Sequence, residues 1–129
     1  MQVSELCLGA MMFGAWGEPD PDACVAIIDR ALDAGINFID TANVYEGYSR
    51  YLGSPGGVAE EIVGKALHDR RDKAIVATKV AAPIGPGPQD RGLSAVHILR
   101  EVDRCLKRLQ TETPKSARLL NEKWAMGRF

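Results

Sequence analysis

Asp40, Tyr45 and Lys79 are the residues of this chain whose types and spacing suit chemistry. Asp40 closes a strand-like run, Asn37-Phe38-Ile39, and Lys79 closes another, Ile75-Val76-Ala77-Thr78. Tyr45 follows Asp40 in the segment Asp40-Thr41-Ala42-Asn43-Val44-Tyr45. A carboxylate, a phenol and an ammonium gathered at the ends of adjacent parallel strands suit proton transfer. Strands in such a sheet run about 5 Å apart, so an Asp40–Lys79 ion pair is geometrically easy. Positive charge beside a phenol favours phenolate, and a tyrosine tuned that way can give a proton to a carbonyl oxygen. Taken singly, each residue also suits a plainer role: a turn cap, a solvated lysine or a packed loop aromatic. Their joint order, on the right elements, favours the chemical reading.

The elements that must position these groups alternate between strand and helix. Leu6-Cys7-Leu8-Gly9 reads as a first strand. Asp20-Pro21 reads as a helix start, cap followed by proline at the first helical position. Ile27, Ile28, Ala31 and Leu32 follow at helical spacing, and Gly35 is a natural stop. Asn37 to Asp40 is the second strand, Glu60 to Leu67 the second helix and Ala74 to Val80 the third strand. Glu46 to Gly57 reads as a loop, and the proline-rich run Pro83 to Pro88 as an extended loop. Ser94 caps a third helix with an apolar stripe of Ile98, Val102, Cys105, Leu106 and Leu109. Short apolar strands alternating with helices predict an α/β fold with a parallel sheet. After the third helix, Thr113-Pro114 looks like another cap, and Ala117, Leu120 and Trp124 recur at helical spacing. The tail therefore predicts an extra C-terminal helix and no fourth strand.

Several of these segments, in order, resemble the aldo-keto reductase family. They include Leu8 to Gly14, Ala34 to Tyr45, Glu60 to Leu67, Val76 to Val80, Gly92-Leu93-Ser94 and Leu106 to Thr111. The resemblance implies parallel β/α units of a TIM-type (β/α)8 barrel, with about three units present. Residues 1–111 would be the N-terminal part of that barrel and residues 112–129 a divergent helical tail. It implies an NADPH-dependent oxidoreductase that reduces aldehydes or ketones to alcohols. Tyr45 would be the general acid, Lys79 would tune it, and Asp40 would pair with Lys79. Gly9, Ala10, Met11 and Asp40 would lie at the cofactor, and Trp16 and Tyr48 at the substrate mouth. The family's fourth catalytic group, a histidine at a later strand end, has no counterpart here. His68 and His97 both fall on predicted helices, where a solvated histidine is expected. Family members run to roughly twice this length or more, and their later strands hold most of the cofactor. The alternative is a catalytically inactive, truncated family member that acts as an interaction or assembly module. Its copies would pair through exposed sheet edges. A phosphate-binding barrel of another class lacks a glycine-rich phosphate loop. Gly56-Gly57 reads as a hinge instead.

Composition bounds the rest. Sixteen basic residues against 17 acidic ones give a net charge of −1, which offers no electrostatic case for nucleic acid or an anionic membrane. Hydrophobic residues at 46% and charged residues at 26% are ordinary for a soluble globular domain. No run is long and apolar enough to span a membrane. The N-terminus lacks a signal-peptide pattern, and a cytoplasmic protein is expected. Cys7, Cys24 and Cys105 are too scattered for a metal site or a disulfide frame, so no metal is expected.

Overall fold

A computed structural model describes residues 2–45 and 56–111, together with the backbone of 117–120. Strand β1 (Cys7–Gly9) leads to helix α1 (Pro21–Asp33), β2 (Phe38–Asp40) to α2 (Val58–Leu67), and β3 (Ile75–Lys79) to α3 (Ala95–Arg108). A fourth strand, β4 (Ala117–Leu120), completes a sheet of order β1-β2-β3-β4. All three strand pairings are parallel. Register aligns Gly9 with Asp40 and Asp40 with Ala77, so the C-terminal ends of the strands form one rim.

The helix starts follow local chemistry. The Asp20 side chain accepts a hydrogen bond from the Asp22 N–H at 3.0 Å, with Pro21 in the first turn. The Ser94 side chain caps α3 by accepting from the His97 N–H at 3.2 Å. Helix α2 begins differently, from Gly57 with φ of 87°, a left-handed conformation that glycine adopts without strain. Arg71–Lys73, unanticipated from sequence, form a short 3₁₀ turn before β3.

The apolar core lies between the sheet and its helices. Ile39 and Val76 are completely buried there against Cys24, Ile28, Ile62, Val63 and Leu67. Side chains alternate along a strand, so Phe38, Asp40, Ile75, Ala77 and Lys79 point to the opposite face.

The tail differs from its sequence expectation. Residues 117–120 form a strand paired with β3, with Val76 opposite Ala117 and Lys79 opposite Leu120. The expected extra helix and the expected break in alternation are both corrected by that pairing. A short apolar run fits helix and strand periodicity alike, and the row of backbone donors and acceptors on the edge of β3 decides in favour of the strand. Thr113, Pro114 and Trp124, which carried the helix reading, lie outside the described residues. Pairing with β4 also removes β3 as a sheet edge. No helix among the described residues is long and apolar enough to cross a membrane.

Candidate active site

The rim brings Asp40, Tyr45 and Lys79 together. Lys79 Nζ donates to Asp40 Oδ2 at 2.5 Å, to the Thr41 carbonyl at 3.0 Å and to Tyr45 Oη at 2.9 Å. An ammonium has three N–H donors and no acceptor, so these partners use its whole hydrogen-bonding capacity. The ammonium also lies 4.8 Å from the centre of the Tyr45 ring. Only 5% of Lys79 is exposed. Burial opposes its charge, but the carboxylate of Asp40 and the phenol oxygen of Tyr45 outweigh that effect, and its pKa is raised.

Backbone bonds fix the relative positions of these groups. The Ala10 N–H donates to the Asp40 carbonyl at 2.8 Å, and the Thr41 N–H to the Ala77 carbonyl at 2.8 Å. Asn43 reaches across with its N–H to the Lys79 carbonyl at 3.1 Å. The turn then closes from the Tyr45 N–H to the Ala42 carbonyl at 3.2 Å. Gly57, at the start of α2, donates its N–H to the Tyr45 carbonyl at 3.3 Å.

Tyr45 Oη must act as acceptor toward Lys79, because the ammonium can only donate. The phenolic proton therefore points away from Lys79 and has no acceptor among the described residues. The site holds a fixed cation, a carboxylate that keeps it charged, and a hydroxyl with a transferable proton.

The remaining expected site residues fall as follows. Gly9 faces Asp40 in register, and a Cβ placed on it would meet nothing within 4 Å. Ala10 is buried beside it, and Met11 is exposed in the turn beyond. Trp16 is half-buried, while Tyr48 lies outside the described residues. Cys7 lies one pleat below Gly9. Burial and then the charge of Asp40 push its thiol pKa up, which favours the protonated form. His68 is exposed, as expected. His97 is not a solvated histidine: it is fully buried, with Nε2 at 2.5 Å from the Val80 carbonyl and Nδ1 at 3.0 Å from the Gln89 carbonyl. It ties the strand end and the following loop to α3.

Sequence reasoning missed the polar groups that support the site. Glu60 of α2 is buried, accepting from Thr78 Oγ1 at 2.5 Å and from Arg108 Nε at 2.6 Å. Glu101 of α3 is buried and accepts from Asn43 Nδ2 at 3.2 Å. The signal was present for α3: His97, Glu101, Cys105 and Leu109 recur every fourth residue on one face.

Residues 5–116 match the model of the aldo/keto reductase family. The chain belongs to the aldo/keto reductase family. It is 45% identical over 119 residues to the oxidoreductase YrpG of Bacillus subtilis, covering 87% of this chain and 34% of that protein. It is 35% identical over 116 residues to a probable voltage-gated potassium channel subunit beta of Arabidopsis thaliana, covering 84% of this chain and 32% of that protein. Among solved structures, a holo-form aldo-keto reductase of Bacillus halodurans superposes with a TM-score of 0.69 at 36% identity. That match covers 86% of this chain and 34% of the other. The chain thus spans about a third of the length of these relatives, and its sheet is a partial TIM barrel.

Proposed function

We propose that this chain carries the proton-transfer half of an NADPH-dependent carbonyl reductase, which reduces aldehydes or ketones to alcohols. The observation that carries this reading is the three-way contact of Lys79 Nζ with Asp40, Thr41 and Tyr45, which leaves the phenolic proton without an acceptor among the described residues. The open space above Gly9, beside Asp40, fits a flat ring approaching the rim. Gly9, Ala10, Met11 and Asp40 would hold the nicotinamide there. A reduced nicotinamide, when bound, supplies hydride to the carbonyl carbon. Tyr45 Oη gives its proton to the carbonyl oxygen. The ammonium of Lys79, itself buried, stabilises the phenolate left behind at close range. Asp40 holds that ammonium charged and in place. Cys24 and Cys105 are free, buried thiols, which suits a reducing compartment, and the cytoplasm is the proposed location.

The test is NADPH fluorescence titration of the purified chain, followed by turnover of an aldehyde. Saturable binding is expected, with Tyr45→Phe lowering turnover by about 10²- to 10⁴-fold, the range of a lost general acid. Turnover unchanged by Tyr45→Phe would remove Tyr45 from the reaction.

A second reading is an assembly module. Its specific support is that relatives at 35% and 36% identity are named as probable channel β subunits. Copies would then associate through the edges of the sheet. A monodisperse monomer by light scattering at high concentration would remove this reading.

A further inference from the structure

We infer that Asn43 and Glu101 form a positioning pair that sets where the turn carrying Tyr45 meets Lys79. This inference rests on the reading of Tyr45 and Lys79 as the proton-transfer pair. Thr41 and Tyr45, two of the three partners of the ammonium, sit on either side of Asn43 in one turn. Asn43 is 1% exposed and carries two anchors. Its backbone N–H donates to the Lys79 carbonyl at 3.1 Å, which ties the turn to β3. Its side-chain Nδ2 donates to Glu101 Oε2 at 3.2 Å, which ties the turn to α3.

The side-chain anchor has a fixed sense. Asn43 Oδ1 is buried with no partner among the described residues. Flipping the amide would turn that oxygen onto the Glu101 carboxylate, oxygen against oxygen, so the Glu101 charge selects one orientation. Glu101 is held in turn. Its Oε1 accepts from Arg104 at 2.9 Å and from Arg100 at 3.3 Å, and Arg100 also bonds Asp90 at 2.8 Å. A carboxylate that is 1% exposed is costly to bury, and an apolar residue of similar size at such a position is often at least as stable. A directional hydrogen bond to the active-site turn is what the carboxylate adds and an apolar residue cannot. Neither residue touches the reacting atoms, so both act through Tyr45 and Lys79.

The experiment reads Lys79 directly, by 13C NMR of the full chain labelled at lysine Cε, with Lys79→Arg assigning the resonance. Losing the phenol contact lowers the affinity of the ammonium for its proton. Tyr45→Phe therefore gives the size of a complete loss. Asn43→Ala is expected to move the Lys79 midpoint down by about half a pH unit or more, roughly threefold in proton affinity. Glu101→Gln, which keeps an oxygen acceptor for Asn43, should stay near wild type and so separates position from charge. The double variant Asn43→Ala/Glu101→Ala should shift Lys79 no further than Asn43→Ala alone, because one link is broken in both. Should Asn43→Ala fail to fold by circular dichroism, Asn43→Ser, too short to reach Glu101, is read in its place. A wild-type midpoint in a folded Asn43 variant, or shifts that simply add, would overturn the pair. The measurement needs neither cofactor nor turnover. A Lys79 shift without any Tyr45→Phe effect on catalysis would leave the pair standing and sink only the carbonyl-reductase reading.

Discussion

The two faces of this sheet are built from the same strands under opposite demands. On the helix side, Ile39 and Val76 are fully buried. Glu60 there has one oxygen taken by Thr78 and the other by Arg108. On the rim side, Asp40 keeps 28% of its side chain exposed, Gly9 leaves open space, and the Tyr45 proton has no acceptor among the described residues. On the helix side the buried carboxylate of Glu60 has both of its oxygens engaged. The rim holds one saturated cation beside groups with unused capacity, and unused capacity is what a substrate can engage.

Six substitutions would break or sharpen this contrast. The largest effect is expected from Arg108→Leu, which leaves the fully buried Glu60 carboxylate without its cation. A loss of about 3–5 kcal/mol in urea unfolding is expected; a loss below about 1 kcal/mol would show that the helix side tolerates an unpaired charge. Next comes Ile39→Ala, which opens a cavity in the core at a cost of about 2–4 kcal/mol. Leu6→Ala, at a residue 67% exposed, should change stability by about 0.5 kcal/mol or less.

Glycine substitutions give a matched pair. An added Cβ on Gly64 of α2 would lie 2.2 Å from the carbonyl oxygen of Arg108 at the end of α3. Gly64→Ala should cost about 1–3 kcal/mol through overpacking, although alanine favours helix over glycine by about 1 kcal/mol. Gly9→Ala meets nothing and should leave the thermal midpoint in place while weakening nicotinamide binding. Equal stability losses at the two glycines would erase the difference between the faces.

The smallest effect is a pH dependence. Lys79 has a raised pKa in the folded chain, because the carboxylate and phenol oxygens outweigh its burial. Its contribution to stability is therefore complete below the unfolded lysine value, about 10.4, and is lost as pH rises through the higher folded value. Wild type should lose more stability than Lys79→Met when unfolding is compared at about pH 9 and about pH 12. Parallel losses would mean that Lys79 is not stabilised in its charged form.

Much of the frame was legible in the chain. The caps at Asp20 and Ser94, the strand ends at Asp40 and Lys79 and the alternation of elements rest on local chemistry that acts within a few residues. The Asp40–Tyr45–Lys79 contact was legible too, because the ends of adjacent parallel strands must lie side by side. Residues 117–120 were not legible, because the edge of β3 that pairs with them lies some forty positions earlier in the sequence. Glu101 was not recognised as part of the site either, since Asn43 lies 58 positions away and nothing near Glu101 marks it as a partner.

The sequence by itself determined strands β1 to β3, helices α1 to α3 and which three side chains reach the rim, because periodicity, caps and strand ends are set by near neighbours. Only the tertiary structure decided that Lys79 spends all three of its donors, that His97, Glu60 and Glu101 are buried, and that the tail extends the sheet. Those outcomes depend on which polar groups lose water together, and desolvation is a property of the packed molecule, not of any segment in it.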